Sequence, residues 1–169
     1  MAIAERRYGL YIGAGAAFIN TDAIDAFEQD VNFQAGEIIG GSYWRWLGIE
    51  VRRGTSFEDE TVNLGNDPDT NALIVAESRL DDYQSQYLRL QFANDVARIY
   101  GLYGNSTVNT TAVFSDQSFN RLTSSGASYG LGAGVDVSEH LAFNLEYRVL
   151  LSSEDNTFSM LGMNVDFRF

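Results

Sequence analysis

Oppositely charged residues stand two positions apart at several places in the chain, and three such pairs are candidates for buried ion pairs. These pairs are Glu50 with Arg52, Glu146 with Arg148 and Asp166 with Arg168. In an extended strand, residues two apart project from the same face, so each carboxylate can reach a guanidinium. All 11 basic residues are Arg, whose planar fork of donors pairs with carboxylates and tolerates burial. The pattern suits ion pairs inside a narrow space, although a compositional habit of the source organism explains the absence of Lys equally well.

Few residues could support catalysis or metal binding. The chain has no Cys, and its single histidine, His140, stands directly beside a serine and a glutamate. Sequence neighbours cannot form a catalytic triad, because nucleophile, base and orienting group must converge in space. Residues 67–71 carry oxygen ligands as a calcium loop does, but Ala72 and Ser78 stand where such a loop needs Gly and Glu. We therefore predict no catalytic residues, no metal site and no cofactor.

The net charge of −12 argues against nucleic acid as a partner, since phosphate binding needs a clustered positive field. No stretch approaches the roughly 18 uncharged apolar residues of a membrane-spanning helix. Many carboxylates cluster in one polar segment, and they are Glu58, Asp59, Glu60, Asp67, Asp69, Glu77, Asp81 and Asp82. Such a segment favours a solvated external loop.

Strict alternation of apolar and polar residues predicts strands of about 9–11 residues, the length that spans a bilayer when tilted. Near the C-terminus, the apolar face consists of Leu141, Phe143, Leu145 and Tyr147 in one strand and Leu161, Met163, Val165, Phe167 and Phe169 in the next. The opposite faces carry small or charged residues. The first strand, near residues 8–18, alternates in the same way.

The connections between strands also alternate, in length. Short links are predicted near residues 43–46, 93–95 and 138–140, and long polar ones near residues 20–32, 55–82, 105–125 and 152–157. Seven connections join eight antiparallel strands and leave both termini on the side of the short turns. Short turns on one side and long loops on the other are typical of outer-membrane barrels.

Two eight-stranded barrels fit this pattern, and they differ in which face looks inward. A soluble barrel of the lipocalin type puts its apolar face around a ligand, whereas a membrane barrel puts it against lipid. Glycine runs and paired charges on the polar face, and aromatic residues near strand ends such as Phe18 and Phe158, favour the membrane barrel. We predict an all-β, eight-stranded antiparallel up-and-down transmembrane β-barrel, formed by a single domain over residues 1–169.

The membrane orientation predicts which residues of each strand face lipid and which face the lumen. The residues predicted to face lipid are Leu141, Phe143, Leu145, Tyr147, Leu161, Met163, Val165 and Phe167. The predicted lumen charge network comprises Glu50, Arg52, Arg89, Asp136, Asn144, Glu146, Arg148, Asp166 and Arg168. Glycines such as Gly13 and Gly132 are expected to leave space for long arginines on the opposite wall.

Four strands do not follow the simple alternation. Glu37 interrupts both faces of the second strand, where a bulge is expected at Gly40 and Gly41. Arg53 falls on the lipid-facing side, and because a lipid-facing Arg at mid-depth costs ~2–4 kcal/mol, we expect a register change or snorkelling to the rim. Gln84 and Gln86 fit the lipid face poorly, and the faces of residues 98–104 are ambiguous.

Several motifs resemble the transmembrane domain of the outer membrane protein A family. They are Gly40-Gly41 with Leu47-Gly48-Ile49-Glu50-Val51, residues 132–137 followed by Leu145-Glu146-Tyr147, and the ending Asp166-Phe167-Arg168-Phe169. The resemblance implies a bacterial outer-membrane location, contact with outer-membrane lipid and lipopolysaccharide, and handover to the barrel-assembly machinery through Phe167 and Phe169. It also implies a cluster of four charged residues in the lumen, three of which match Glu50, Arg89 and Asp136. At the fourth position, in strand seven, the family has Arg and this chain has Asn144.

We expect the chain to be a mature form whose secretion signal has been removed, and a stand-alone monomeric barrel. The predicted function is a structural or surface-interaction role through long acidic extracellular loops, with a lumen filled by side chains and no enzymatic activity. The alternative is a narrow gated channel or a small-solute-binding porin-like barrel.

Overall fold

A computed structural model describes residues 8–21, 31–57, 60–66, 73–94, 96–114, 119–152 and 157–169. Within these ranges the chain forms nine strands. They are β1 (Tyr8–Thr21), β2 (Val31–Trp44), β3 (Leu47–Ser56), β4 (Glu60–Asn66), β5 (Leu73–Ala93), β6 (Ala97–Phe114), β7 (Phe119–Asp136), β8 (Leu141–Ser152) and β9 (Thr157–Arg168). No helix in the described ranges is long and apolar enough to cross a membrane.

Eight of the strands close into an antiparallel barrel. The sheet order is β3-β2-β1-β9-β8-β7-β6-β5-β4, and a further pairing between β3 and β5 joins the two sides. β9 pairs with β1, and the amide of Phe169 donates to the carbonyl of Leu10 at 3.0 Å. The predicted eight-stranded up-and-down barrel is therefore confirmed.

The ninth strand belongs to the region that the sequence predicted as a long loop. β4 pairs with β5 beyond the point, at Tyr83, where β5 leaves β3. β6 and β7 likewise pair through Val113 and Phe119, well inside the predicted loop of residues 105–125. The loop prediction was wrong here, because Thr- and Val-rich polar segments have a high strand propensity.

Two of the expected irregularities are absent. β2 pairs with β1 and with β3 in unbroken register, so the bulge expected at Gly40 and Gly41 was wrong. Arg53 keeps its register and points outward, and its guanidinium reaches Asp82 at 3.1 Å. Arg53 therefore snorkels toward the loop end, and the expected change of register was wrong.

The alternation of the strands separates an exposed outer face from a buried inner face. On β8, Leu145 is 52% exposed and the next residue, Glu146, is 1% exposed. The eight residues predicted to face lipid lie on the outer face, with Leu141 and Val165 half-buried and the others exposed. Phe158 departs from the sequence-based interpretation, because it is buried inside rather than placed in an outer aromatic girdle.

The short turns hold one end of the barrel together. Arg45, in the turn between β2 and β3, has a φ of 57°, a backbone conformation that favours glycine. In the β7–β8 turn, the Ser138 hydroxyl accepts from the amides of His140 and Leu141 at 3.3 and 3.1 Å. These turns fix the registers that bring charged residues of different strands to one level.

Candidate functional site in the barrel interior

Among the residues that the structure describes, the barrel interior holds equal numbers of positive and negative side chains. Five are arginines and five are carboxylates, namely Arg52, Arg89, Arg98, Arg148, Arg168, Glu37, Glu50, Asp136, Glu146 and Asp166. Each of the ten takes part in an ion pair with another member of the set. Because these charges cancel, the net charge of −12 belongs to the residues outside this set.

Arg52 is the centre of the network. Its Nη1 and Nη2 donate to the two carboxylate oxygens of Glu146 at 2.6 and 2.8 Å. Nη1 also donates to Glu37 at 3.0 Å, and Nε donates to Glu50. β3 and β8 are four strands apart in either direction around the barrel, so the bidentate pair of Arg52 and Glu146 crosses the interior from wall to wall.

A second pair also bridges the interior. Arg148 on β8 donates from Nη2 to Glu37 on β2 at 2.6 Å, and its Nε lies 3.4 Å from Glu146. The hydroxyl of Tyr83 donates to the same Glu37 oxygen at 2.9 Å. Arg148 is wholly buried, and an arginine in such a position requires opposite charges close by.

The third part of the network joins strands that are adjacent or separated by one strand. Arg89 on β5 donates to Glu50 on β3 at 2.9 Å, and its guanidinium carbon lies 3.6 Å from the ring centroid of Tyr100. The hydroxyls of Tyr11 and Tyr100 donate to Glu50 and Glu146 respectively. A carboxylate, a guanidinium and an aromatic face thus contact one another around Arg89.

At the short-turn end, a polar layer surrounds Asp136 and Asp166. Arg168 donates to Asp136 at 2.6 Å, and Arg98 lies 3.5 Å from each of these two carboxylates. Asn144 donates to Asp166 at 2.9 Å and accepts from Nε of Arg98 at 3.1 Å. The arginine implied at position 144 is absent, and the guanidinium that contacts the Asn144 side chain belongs to Arg98.

Toward the long loops, the interior becomes apolar. Buried side chains from six strands contact one another there, and they are Ala17, Ile19, Phe33, Ala35, Leu80, Tyr83, Val108, Leu150, Phe158 and Met160. We call this set the apolar layer. It separates the ion pairs from the loop end and was not predicted, because the sequence-based orientation assigned only polar residues to the lumen.

Inward-facing tyrosines lie opposite glycines of the neighbouring strand. The direct cross-strand partners are Tyr11 with Gly41, Tyr43 with Gly9, Tyr83 with Gly54, Tyr87 with Gly104 and Tyr100 with Gly132. A Cβ atom added at Gly132 would overlap the ring of Tyr100. The glycines therefore make space for side chains of adjacent strands, and the expectation that they serve the opposite wall was wrong.

We expect Gly132→Ala to lower the free energy of unfolding by about 1–3 kcal/mol, as overpacking does in other cores. The added methyl group would push Tyr100 away from Glu146 and Arg89. Gly162→Ala is the matched control, because its Cβ would lie 3.6 Å from Ala17, an ordinary contact. Urea unfolding in detergent micelles measures both variants, and equal stabilities would contradict this packing.

The structure places all nine predicted lumen residues inside the barrel, and it adds others. Glu37, Arg98 and the five inward tyrosines belong to the same polar interior but were not predicted. The signal that could have found Glu37 is the two-residue turn after Trp44, because it fixes the register of β2 and β3 and sets Glu37 on the face of Arg52.

At the chain end, Phe167 and Phe169 are exposed and their ring centroids lie 5.3 Å apart, edge to face. Within the described ranges, no three metal-ligating side chains come together. The calcium-like segment, residues 67–71, lies outside those ranges.

A model of the outer membrane protein beta-barrel domain family matches residues 1–169. Ail, the attachment invasion locus protein of Yersinia pestis, is similar with a TM-score of 0.65 and 17% identity over 95% of this chain and 99% of that one. Neisserial surface protein A is similar with a TM-score of 0.64 and 14% identity, over 95% of this chain and 97% of that one. The N-terminal β-barrel domain of Pseudomonas aeruginosa OprF is similar with a TM-score of 0.58 and 16% identity, over 93% of this chain and 97% of that one.

A comparison with curated protein sequences finds no match. At these identities, the solved structures establish the fold, and the family model establishes the membership. The chain therefore belongs to the outer membrane β-barrel family, and its place is the bacterial outer membrane.

Proposed function

We propose that this protein is a closed outer-membrane barrel whose role is to anchor and display a surface for interaction, without enzymatic activity. The single observation that carries the proposal is the pair of ion bridges across the interior, Arg52 to Glu146 and Arg148 to Glu37. Eight strands leave an interior about wide enough for side chains to fill. Bridges between opposite walls, capped by the apolar layer, occupy the path that a solute would need.

The surface to be displayed is built by strands that continue beyond the barrel wall. β5 runs ten residues outward from Tyr83 to Leu73, and β4, β6 and β7 pair around this extension. A hydrogen-bonded sheet holds its side chains in a fixed arrangement at low entropic cost, as a recognition surface requires. The net charge outside the lumen is strongly negative, which favours a cationic or divalent-bridged partner surface.

The second candidate function is a narrow polar path for water or small ions. The observation that favours it is a group of buried donors that make no hydrogen bond within the described ranges, including Nε of Arg89 and Nη1 of Arg148. Water commonly satisfies such donors in polar interiors. A rearrangement of the bridges would then open the path.

Planar-bilayer conductance separates the two functions. The closed barrel predicts no single-channel events above the lipid background for the purified protein, and none for Arg148→Gln, because the apolar layer remains in place. Discrete openings whose size or frequency changes in Arg148→Gln or Glu50→Gln would contradict the proposal and support the channel.

The exposed chain end supports a role in assembly. The rings of Phe167 and Phe169 are exposed at the short-turn end of β9, as a contact with another protein would require. We propose Phe169 and Phe167 as the signal for the barrel-assembly machinery, and lipid and lipopolysaccharide as the surroundings of the outer face.

A further inference from the structure

The outer apolar surface is shorter where β3 and β5 pair. Counted from the short-turn end, β1, β7, β8 and β9 each carry four or five apolar outward residues before the first polar one. β3 and β5 each carry three, which are Leu47, Ile49 and Val51 on one strand and Phe92, Leu90 and Leu88 on the other. Each further outward residue of a tilted strand adds about 5 Å of membrane height. The polar surface therefore begins about 5 to 10 Å lower on this side.

Two side-chain amides lie on the outer face at this depth. Gln86 on β5 and Asn105 on β6 are direct cross-strand partners, and both are exposed. Three apolar positions cover about 15 Å, whereas the apolar band of an outer-membrane barrel is about 25 Å tall. Gln86 is the fourth outward residue of β5 and therefore lies within this band. At the corresponding positions, β8 and β9 present Tyr147 and Leu161.

An amide at this depth requires a hydrogen-bond partner. Within the described ranges, no protein group hydrogen-bonds with the side chain of Gln86 or Asn105. Transfer of an amide into hydrocarbon without such a partner is strongly unfavourable, and lipid tails offer none. A protein surface that carries donors and acceptors at the same depth would satisfy both amides.

A second copy of this chain is such a surface. A side-chain amide has donors and an acceptor, so two copies of one amide can pair through two reciprocal hydrogen bonds. Two chains inserted in the same orientation are related by a two-fold axis parallel to the membrane normal. Each residue beside that axis meets its own copy at the same depth. An axis beside β5 brings Gln86 against Gln86 of the second copy and places β3 opposite β6.

The charges above the amides are balanced, which also favours a second copy. Of the 11 arginines in the chain, five lie in the lumen and three lie on this face, while the acidic residues number 23. The residues outside the lumen and this face are therefore strongly acidic, and copies that met through them would repel one another. This face combines three arginines with three carboxylates, namely Arg53, Arg79, Arg121, Glu77, Asp81 and Asp82.

We propose that the outer face of β3, β5 and β6 binds a second copy of this chain, forming a symmetric dimer with Gln86 beside the two-fold axis. The dimer replaces the monomer expected from the sequence. It would hold two of the extended sheets side by side, which raises the avidity for a repetitive partner surface. The inference goes beyond the proposed function, because a single closed barrel would also anchor and display a surface.

Oxidative cross-linking of single-cysteine variants in lipid bilayers tests the contact, since the chain has no cysteine of its own. Gln86→Cys places a thiol beside the axis, and we expect a disulfide-linked dimer. The matched control is Met163→Cys on β9, which is exposed and lies four strands from β5 in either direction. We expect several-fold less dimer from this control. Equal cross-linking of the two variants, or none at position 86, would overturn the proposal.

Energy transfer between labelled copies, measured as lipid dilutes the protein, gives the dissociation constant of the dimer. We expect Gln86→Leu to weaken dimerisation about tenfold, the effect of two hydrogen bonds between membrane segments. Ser159→Leu changes the first polar outward residue of β9, on the opposite wall, and should leave the constant unaltered.

A chain that stays monomeric at every dilution would contradict the dimer, as would an equal dissociation constant for Gln86→Leu and the unaltered chain. Heat-modifiable migration on a gel shows whether each variant has folded, so a loss of dimer is not mistaken for a loss of structure. Planar-bilayer conductance tests the proposed function separately.

Discussion

Replacing Arg52 by methionine is expected to lower the free energy of unfolding by about 3–5 kcal/mol, the usual result of removing one partner of a buried ion pair. Methionine keeps much of the side-chain volume but cannot donate to Glu37, Glu50 or Glu146. These three carboxylates would remain buried close together. Only the guanidiniums of Arg89 and Arg148 would be left to pair with them. Urea unfolding in detergent micelles, followed by the fluorescence of Trp44 and Trp46, measures the loss.

The matched control is the next residue. Arg53→Met removes an exposed pair with Asp82, and such pairs contribute about 0–1 kcal/mol. A second control is the combination of Arg52→Met with Glu146→Gln, which should recover part of the loss because one unpaired charge is removed. A change of less than about 1 kcal/mol in Arg52→Met would contradict the wall-to-wall bridge, since a solvated arginine would be lost at little cost.

Replacing Phe33 by alanine is expected to lower the free energy of unfolding by about 3–5 kcal/mol, as for other buried aromatic residues. Phe33 is 3% exposed and lies in the apolar layer, directly across from Ile19. Its removal would leave a cavity between the ion pairs and the loop end. The same urea titration measures the effect.

Phe33→Leu serves as the comparison because leucine retains most of the buried apolar volume. We expect it to lose clearly less stability than the alanine variant. If the two variants were equally stable, the apolar layer would not be a packed core, and the closure of the interior at the long-loop end would be contradicted.

The eight-stranded barrel could be predicted because the sequence repeats one physical signal in most strands. Alternation on β8 and β9 separates residues such as Leu145 from Glu146, and a single-residue slip would bury a charge in lipid. Charges two positions apart, as in Glu146 and Arg148, identify the inner face. The short turns then impose antiparallel neighbours.

The apolar layer and Glu37 could not be predicted from alternation. β2 carries apolar residues on both faces, with Ile38 outward and Ile39 inward, so neither face identifies itself as the lumen. Its inner face combines apolar residues near the long loops with Glu37 farther in. Only the register with β3, set by the turn after Trp44, shows that Glu37 faces Arg52.

The extension of β5, β6 and β7 beyond the wall was missed for a different reason. Residues 105–114 are mostly polar, and the sequence-based interpretation equated polar segments with loops. Thr107, Val108 and Thr110 are β-branched, however, and fit an extended backbone whether or not lipid surrounds it. Polar outward residues indicate where a strand leaves the membrane. β-Branched residues beyond that point indicate that the strand itself continues.

The most direct test of the account uses single cysteines, because the chain has none of its own. Leu145→Cys on the outer face and Ser85→Cys on the inner face would each carry a small fluorophore in lipid bilayers. We predict that spin-labelled lipid quenches the label at position 145 strongly, and that it leaves position 85 unlabelled or unquenched. Quenching of position 145 by aqueous iodide, with no effect of spin-labelled lipid, would contradict a barrel whose apolar face contacts the membrane.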